Sequence, residues 1–211
     1  MSAGIEWKNI RFRYLQESER RQFDGFSLTI RPGRISVLTG PSGCGKSTLL
    51  FLAAGLYPEH GGFLEEGSVR VSGKDPAKLT GQERSRLVRV IFQNADLQFC
   101  LDRVDRELIF VMENAGIAAE EMPRRMLQVL ADVGLDGYEK RQISTLSGGE
   151  KQRLGLASQL VAGAEWLLLD EVLAQVDPAQ SRALVRLIAK LQKTHGFSVL
   201  AVDHHLEYWQ D

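Results

Sequence analysis

The chain has 211 residues, 44% hydrophobic and 25% charged, which is enough for one packed domain with room for an inserted subdomain. Its 26 basic and 27 acidic residues leave a formal net charge of -1, so bulk charge gives no reason to expect a nucleic-acid partner or an anionic membrane surface. The N-terminus has no apolar signal-peptide core, and the longest apolar runs, such as LLFLAAGL at 49–56, fall far short of the ~20 residues that span a bilayer.

In chain order, residues 5–39 are expected to be β-rich: Ile5 to Phe12, FSLTI at 26–30 and ISVLT at 35–39, with Arg31-Pro32-Gly33 as the turn between the last two. ISVLT runs into the glycines of 40–45, and KSTLLFLAAGL then reads as a helix. Gly61, Gly62 and Gly67 suggest a loop before a short strand at 68–73, and LVRVIF predicts a strand ending at Phe92. From about 94 to 145 the pattern turns helical. Val104, Leu108, Val111 and Met112 recur near helical spacing, and a second helix is expected from about Pro123 to Gly134. This block reads as an inserted subdomain. A helix follows Ser147. WLLLD at 166–170 is nearly all apolar, as a strand buried on both faces should be. The helix from Pro178 carries Ala183, Leu184, Leu187, Ile188 and Leu191 on one side, and SVLAV at 198–202 leads to Asp203-His204-His205. The fold class is therefore α/β around a mainly parallel sheet, with functional groups expected at the carboxyl ends of its strands.

The strongest chemical signal is Gly40-Pro41-Ser42-Gly43-Cys44-Gly45-Lys46-Ser47-Thr48, a complete G-x-x-x-x-G-K-[ST] pattern between a strand and a helix. Glycines let successive backbone N–H groups converge on an anion, and the following helix adds its positive end. Lys46 is expected to reach the β- and γ-phosphates of ATP, Ser47 to ligate Mg²⁺, and Thr48 to support the loop. The plainer alternative is a glycine turn with a surface lysine. A second signal is Asp170-Glu171 at the end of an apolar strand, which suits a Mg²⁺-site aspartate followed by a general base. On its own the pair could be two solvated acids. The third is Leu146-Ser147-Gly148-Gly149-Glu150, a serine-capped helix start with close-approach glycines, which alone could be a plain capped helix. Cys44 and Cys100 make neither a disulfide framework nor a CxxC metal pair, and read as reduced thiols.

GPSGCGKST, LSGGEKQR and WLLLDE, in that order and spacing, resemble the ATP-binding subunits of ABC transporters over essentially the whole chain. The resemblance implies a P-loop ATPase core at about 1–93 and 146–211, with an N-terminal antiparallel β subdomain and a helical subdomain at about 94–145. It further implies a head-to-tail pairing with a second ATPase unit, identical or not, in which Ser147, Gly148 and Gly149 contact ATP held by the partner's loop. Gln93 matches the family's glutamine that touches Mg²⁺ or water and senses the membrane partner. Tyr14 matches the aromatic that stacks on adenine. His204 matches the histidine near the γ-phosphate, with His205 as the neighbouring alternative. Glu171, His204, Lys46 and Gln93 are thus the expected catalytic set, and Ser47, Gln93 and Asp170 the expected Mg²⁺ set. The chain departs from the family at Val172-Leu173-Ala174-Gln175-Val176, where Pro-Thr-Ser-Ala-Leu is usual before Asp177.

VIFQNADLQFCLDRVDRELIFVMENAGI and AVDHHLEYW are similar to the ATPase subunits of energy-coupling factor (ECF) importers, including the cobalt and nickel type. That similarity implies a peripheral place on the cytoplasmic face of the cell membrane. It also implies a transmembrane coupling protein and a small substrate-binding membrane subunit as partners, with no nucleic acid. The competing expectations are a non-transport ABC ATPase and a regulatory nucleotide-binding subunit with low turnover. The chain stops seven residues after His204, which suits a minimal unit, a truncated one, or the first half of a tandem ATPase.

Overall fold

The computed structural model describes residues 4–17, 20–92, 99–174 and 177–210. Two sheets organise them. The first is antiparallel, with β1 (Ile5–Arg13) between β2 (Phe23–Ile30) and β4 (Phe63–Val71). The second is parallel, in the order β3 (Ile35–Leu38), β7 (Ser198–Val202), β6 (Trp166–Asp170), β5 (Val88–Ile91). The turn at 31–33 therefore carries the chain from one sheet to the other, since β2 pairs with β1 and β3 with β7.

In β1 the buried residues are Ile5 and Trp7, then Ile10 and Phe12. The alternation slips by one residue where the pairing with β4 shifts between Lys8 and Arg11, with Asn9 at φ +52°. A bulge there keeps both halves of the strand facing the core. Gly67 lies opposite it. A Cβ on Gly67 would sit 2.4 Å from the Asn9 carbonyl oxygen, so only glycine fits. Consequently β4 begins at Phe63, five residues before the strand expected at 68–73, and Gly67 lies inside the strand instead of in a preceding loop.

Two apolar cores lie on opposite faces of the parallel sheet. Trp166, Leu168, Leu200 and Val202 pack with the antiparallel sheet and α1 (Lys46–Ala53). Leu167, Leu169, Val199 and Ala201 pack with α3 (Val104–Asn114), α4 (Met122–Asp132), α5 (Gly148–Leu160) and α6 (Pro178–His195). This two-sided burial explains the unbroken apolar run of WLLLD. Trp7 Nε1 donates to the Leu49 carbonyl oxygen at 3.1 Å, tying the antiparallel sheet to α1. One further helix, α2 (Gly81–Leu87), was not expected. It is seven residues long and starts on a capping box between Thr80 and Glu83. Among the described residues no helix is long and apolar enough to cross a membrane.

Candidate nucleotide site

The glycine loop connects the carboxyl end of β3 to the start of α1, so it lies at the edge of the parallel sheet where open α/β folds place their ligands. Gly45 takes φ +104°, and a Cβ there would lie 2.4 Å from Phe23 Cζ and 2.9 Å from Gln22 Nε2. Only glycine lets β2 approach the loop this closely. Lys46 is buried, and its ammonium donates to the carbonyl oxygens of Gly40 and Pro41 at 3.0 Å each. The loop thus holds the cation over its own mouth.

Ser47 Oγ donates to Asp170 Oδ1 at 2.8 Å, joining the first helical turn of α1 to the end of β6. Burial pushes the Asp170 carboxyl above its usual range. The Ser47 hydrogen bond and Lys46 pull it down, while Glu171 adds to the rise. The two oxygens are hard donors. Their separation is close to the ~2.9 Å between adjacent ligands of an octahedron with metal–oxygen distances of about 2.0–2.1 Å, so this pair fits Mg²⁺. Among the described residues no cluster of three or more His, Cys, Asp or Glu side chains could cage a metal. Two protein oxygens suit an ion that takes its other ligands from phosphates and water.

Glu171 follows directly at φ +50°, an uncommon conformation for a side-chain-bearing residue, and its N–H donates to the Val202 carbonyl oxygen at 2.9 Å. The parallel pairing of Asp170 with Val202 brings the ends of β6 and β7 together, which sets Glu171 Oε1 3.2 Å from His204 Nε2. His205 turns elsewhere, its Nδ1 3.1 Å from Glu207 Oε1. Tyr14 is half exposed, and its hydroxyl is hydrogen-bonded to the buried Thr48 hydroxyl. Tyr14, Ser42, Gly43, Gly45, Lys46, Ser47, Thr48 and Glu171 line one cavity of about 320 Å³. Gln22, which sequence reasoning passed over, lines it too. Cys44 is a free, exposed thiol, as is Cys100. Gln93 lies outside the described residues.

Ser147, Gly148 and Gly149 do not join this cavity. They border a separate groove of about 670 Å³ with Gln152, Arg153, Gln180 and Lys190. Ser147 caps α5 in a reciprocal box. Its N–H and hydroxyl donate to Glu150 Oε2 at 2.7 and 2.8 Å, and its hydroxyl accepts from the Glu150 N–H at 3.4 Å. The Tyr138 hydroxyl donates to the other Glu150 oxygen at 2.7 Å. That bond, with those from Ser147, holds the Glu150 carboxyl down at about 2.

An anion-binding loop whose serine is bonded to a strand-end aspartate, at the carboxyl edge of a parallel sheet, is the equipment of a P-loop nucleotide-binding protein, and that is the class this fold and cavity define. The model for the ABC transporter family matches residues 23–174, and the chain belongs to that family as an ATP-binding protein. It is 37% identical over 206 residues to YkoD of Bacillus subtilis (strain 168), an ATP-binding protein named for a proposed role in HMP/thiamine import. That match covers 96% of this chain and 37% of YkoD. It is 32% identical over 207 residues to the energy-coupling factor transporter ATP-binding protein EcfA1 of Lactococcus lactis subsp. lactis (strain IL1403), covering 98% of this chain and 73% of EcfA1. The chain thus spans about a third of the length of YkoD and of a Methanosarcina acetivorans relative. The solved structure of cbiO1 from Clostridium perfringens, described as part of the ABC transporter complex cbiONQ, has a TM-score of 0.84, covering 97% of this chain and 79% of that one. At 22% identity it speaks for the fold.

Proposed function

We propose that this chain binds and hydrolyses ATP as the energy-supplying subunit of an ECF-type importer, seated at the cytoplasmic face of a membrane through its partners. The observation that carries the reading is the Ser47–Asp170 hydrogen bond, which sets the phosphate loop beside Glu171. ATP rests on the loop N–H groups, with Lys46 moving from the Gly40 and Pro41 carbonyls to the phosphates. Ser47 and Asp170 hold Mg²⁺, which when bound neutralises charge on the phosphate oxygens. Gln93 joins them on the metal or the water. Glu171 accepts a proton from the attacking water, and His204 steadies Glu171 and faces the γ-phosphate. Tyr14 stacks on the base.

Ser147, Gly148 and Gly149 complete the equivalent cavity of a second ATPase unit, because they do not reach the one in their own chain. Residues about 94–145 act as the helical subdomain, and the helices near 94–116 as its docking surface for the coupling protein. The cargo is a vitamin or a metal ion, selected by the membrane subunits. Replacing Ser147 with Arg leaves ATP binding within about threefold of wild type and abolishes turnover, if the second unit carries the same substitution. Wild-type hydrolysis in that variant would refute the shared site. Affinity purification from membranes is expected to bring down a polytopic protein that raises the ATPase rate. Purification of an active ATPase indifferent to every membrane fraction would refute the transport role.

A further inference from the structure

We propose that Gln22 reads the sugar of the bound nucleotide, its carboxamide oxygen accepting a hydrogen bond from a ribose hydroxyl. The inference rests on the assignment of the phosphate loop to ATP. Gln22 immediately precedes β2, and its backbone N–H is fixed by a 2.8 Å bond to the Phe12 carbonyl oxygen. Its side-chain Nε2 donates to the Gly43 carbonyl oxygen at 3.0 Å. A carbonyl accepts only from the NH₂ end of an amide, so this bond settles which end of the carboxamide is which. The oxygen is then left without a protein partner among the described residues.

The side chain lines the same cavity as Tyr14 and Lys46. A nucleotide whose base stacks on Tyr14 and whose phosphates lie on Lys46 has its sugar between the two, in the space that Gln22 borders. The missing Cβ of Gly45 allows the amide to stand this close to the loop, since a Cβ would be 2.9 Å from Nε2. The amide therefore has a fixed backbone, a fixed donor and one acceptor left over. A ribose hydroxyl is a donor of the right kind.

The test compares dissociation constants of the full chain for ATP, 2′-deoxy-ATP and 3′-deoxy-ATP. Wild type is expected to bind ATP about three- to tenfold more tightly than at least one deoxy analogue, the weight of one neutral hydrogen bond. In Gln22→Leu that ratio falls to within twofold of unity. Loss of the Gly43 anchor weakens all three nucleotides alike, so the ratio isolates the sugar contact from a merely structural effect. Gln22→Met keeps the side-chain length without the amide and is expected to lose the preference as well, which serves where the leucine variant fails to fold. Equal binding of all three nucleotides by wild type, or a preference that survives Gln22→Leu, would overturn the proposal and leave the ATP assignment standing. Binding of none of the three would overturn both.

Discussion

Glu107 offers the sharpest test of how the helical part of the chain is held. It is 2% exposed in the first turn of α3, and its Oε2 accepts from the N–H groups of Cys100 at 3.0 Å and Leu101 at 2.9 Å. A hydrogen bond to a charged group contributes about 1.5–3 kcal/mol. Cys100 and Leu101 are exposed, so their amides hydrate once released, and the low end applies to each: about 3 kcal/mol in all. Glu107 also offsets the burial that lowers the Arg89 guanidinium, although Arg89 keeps its 2.8 Å bond to Gln159. For a chain of this length, Glu107→Ala should lower Tm by about 6–12 °C. Glu107→Gln keeps a carbonyl acceptor and should lose about half as much. Calorimetric melting of the three proteins provides the measurement, with ATP affinity as the control, because none of these residues lines the nucleotide cavity. A Glu107→Ala Tm within about 1 °C of wild type would refute the account of this anchor.

Asp105 and Glu150 predict an acid limb. Asp105 accepts from Arg103 Nε at 2.6 Å and Lys140 Nζ at 2.9 Å, and these bonds lower its carboxyl from 3.8 to about 2. Glu150 falls from 4.5 to about 2, chiefly through Tyr138. Both folded values lie below the unfolded ones, so the stability they supply is full above about pH 4.5 and is lost as pH falls toward about 2. Asp170, raised by burial, has the opposite sign and weakens the fold as it ionises. Urea unfolding between pH 6 and 3 should show a shallower acid decline in the Asp105→Asn, Glu150→Gln double variant than in wild type, and an unchanged decline would contradict the assignment. Gly45→Ala should cut ATP affinity at least tenfold, because its Cβ would collide with Phe23 at 2.4 Å and strain a φ of +104°. Wild-type affinity in that variant, by titration calorimetry, would sink the close-packing argument.

What the sequence made legible was local. The loop 40–48, the apolar strand ending in Asp170 and the cap at Ser147 each carry their chemistry in adjacent residues. The family resemblance rested on those same runs and the energy-coupling branch on VIFQNADLQFCLDRVDRELIFVMENAGI and AVDHHLEYW, and the matches to the ABC transporter family model and to EcfA1 agree with both. Less legible was whatever depends on distant pairing. β4 was expected too late because Gly67 looks like a loop residue until Asn9 is set opposite it. α2 was missed because seven residues with Ser85 and Leu87 buried make no apolar stripe, although Thr80 and Glu83 spelled its capping box. The resemblance favoured His204 over His205, but the contact of His204 with Glu171 depends on β6 and β7 being neighbours, which spacing along the chain does not encode. Gln22 had no signal at all. A glutamine before a strand gains meaning only when the phosphate loop folds against it.

The central claim is that the loop at 40–48 binds ATP and that Glu171 drives its hydrolysis. The most direct measurement sets ATP affinity and turnover side by side in wild type, Lys46→Ala and Glu171→Gln, each assembled with the same partners. Removing the loop's cation should weaken ATP binding at least ~30-fold, the loss of about 2 kcal/mol of charge-assisted hydrogen bonding. Glu171→Gln should bind ATP within about threefold of wild type and turn it over at least ~100-fold more slowly, as loss of a general base requires. Unchanged ATP binding in Lys46→Ala together with unchanged hydrolysis in Glu171→Gln would contradict the account.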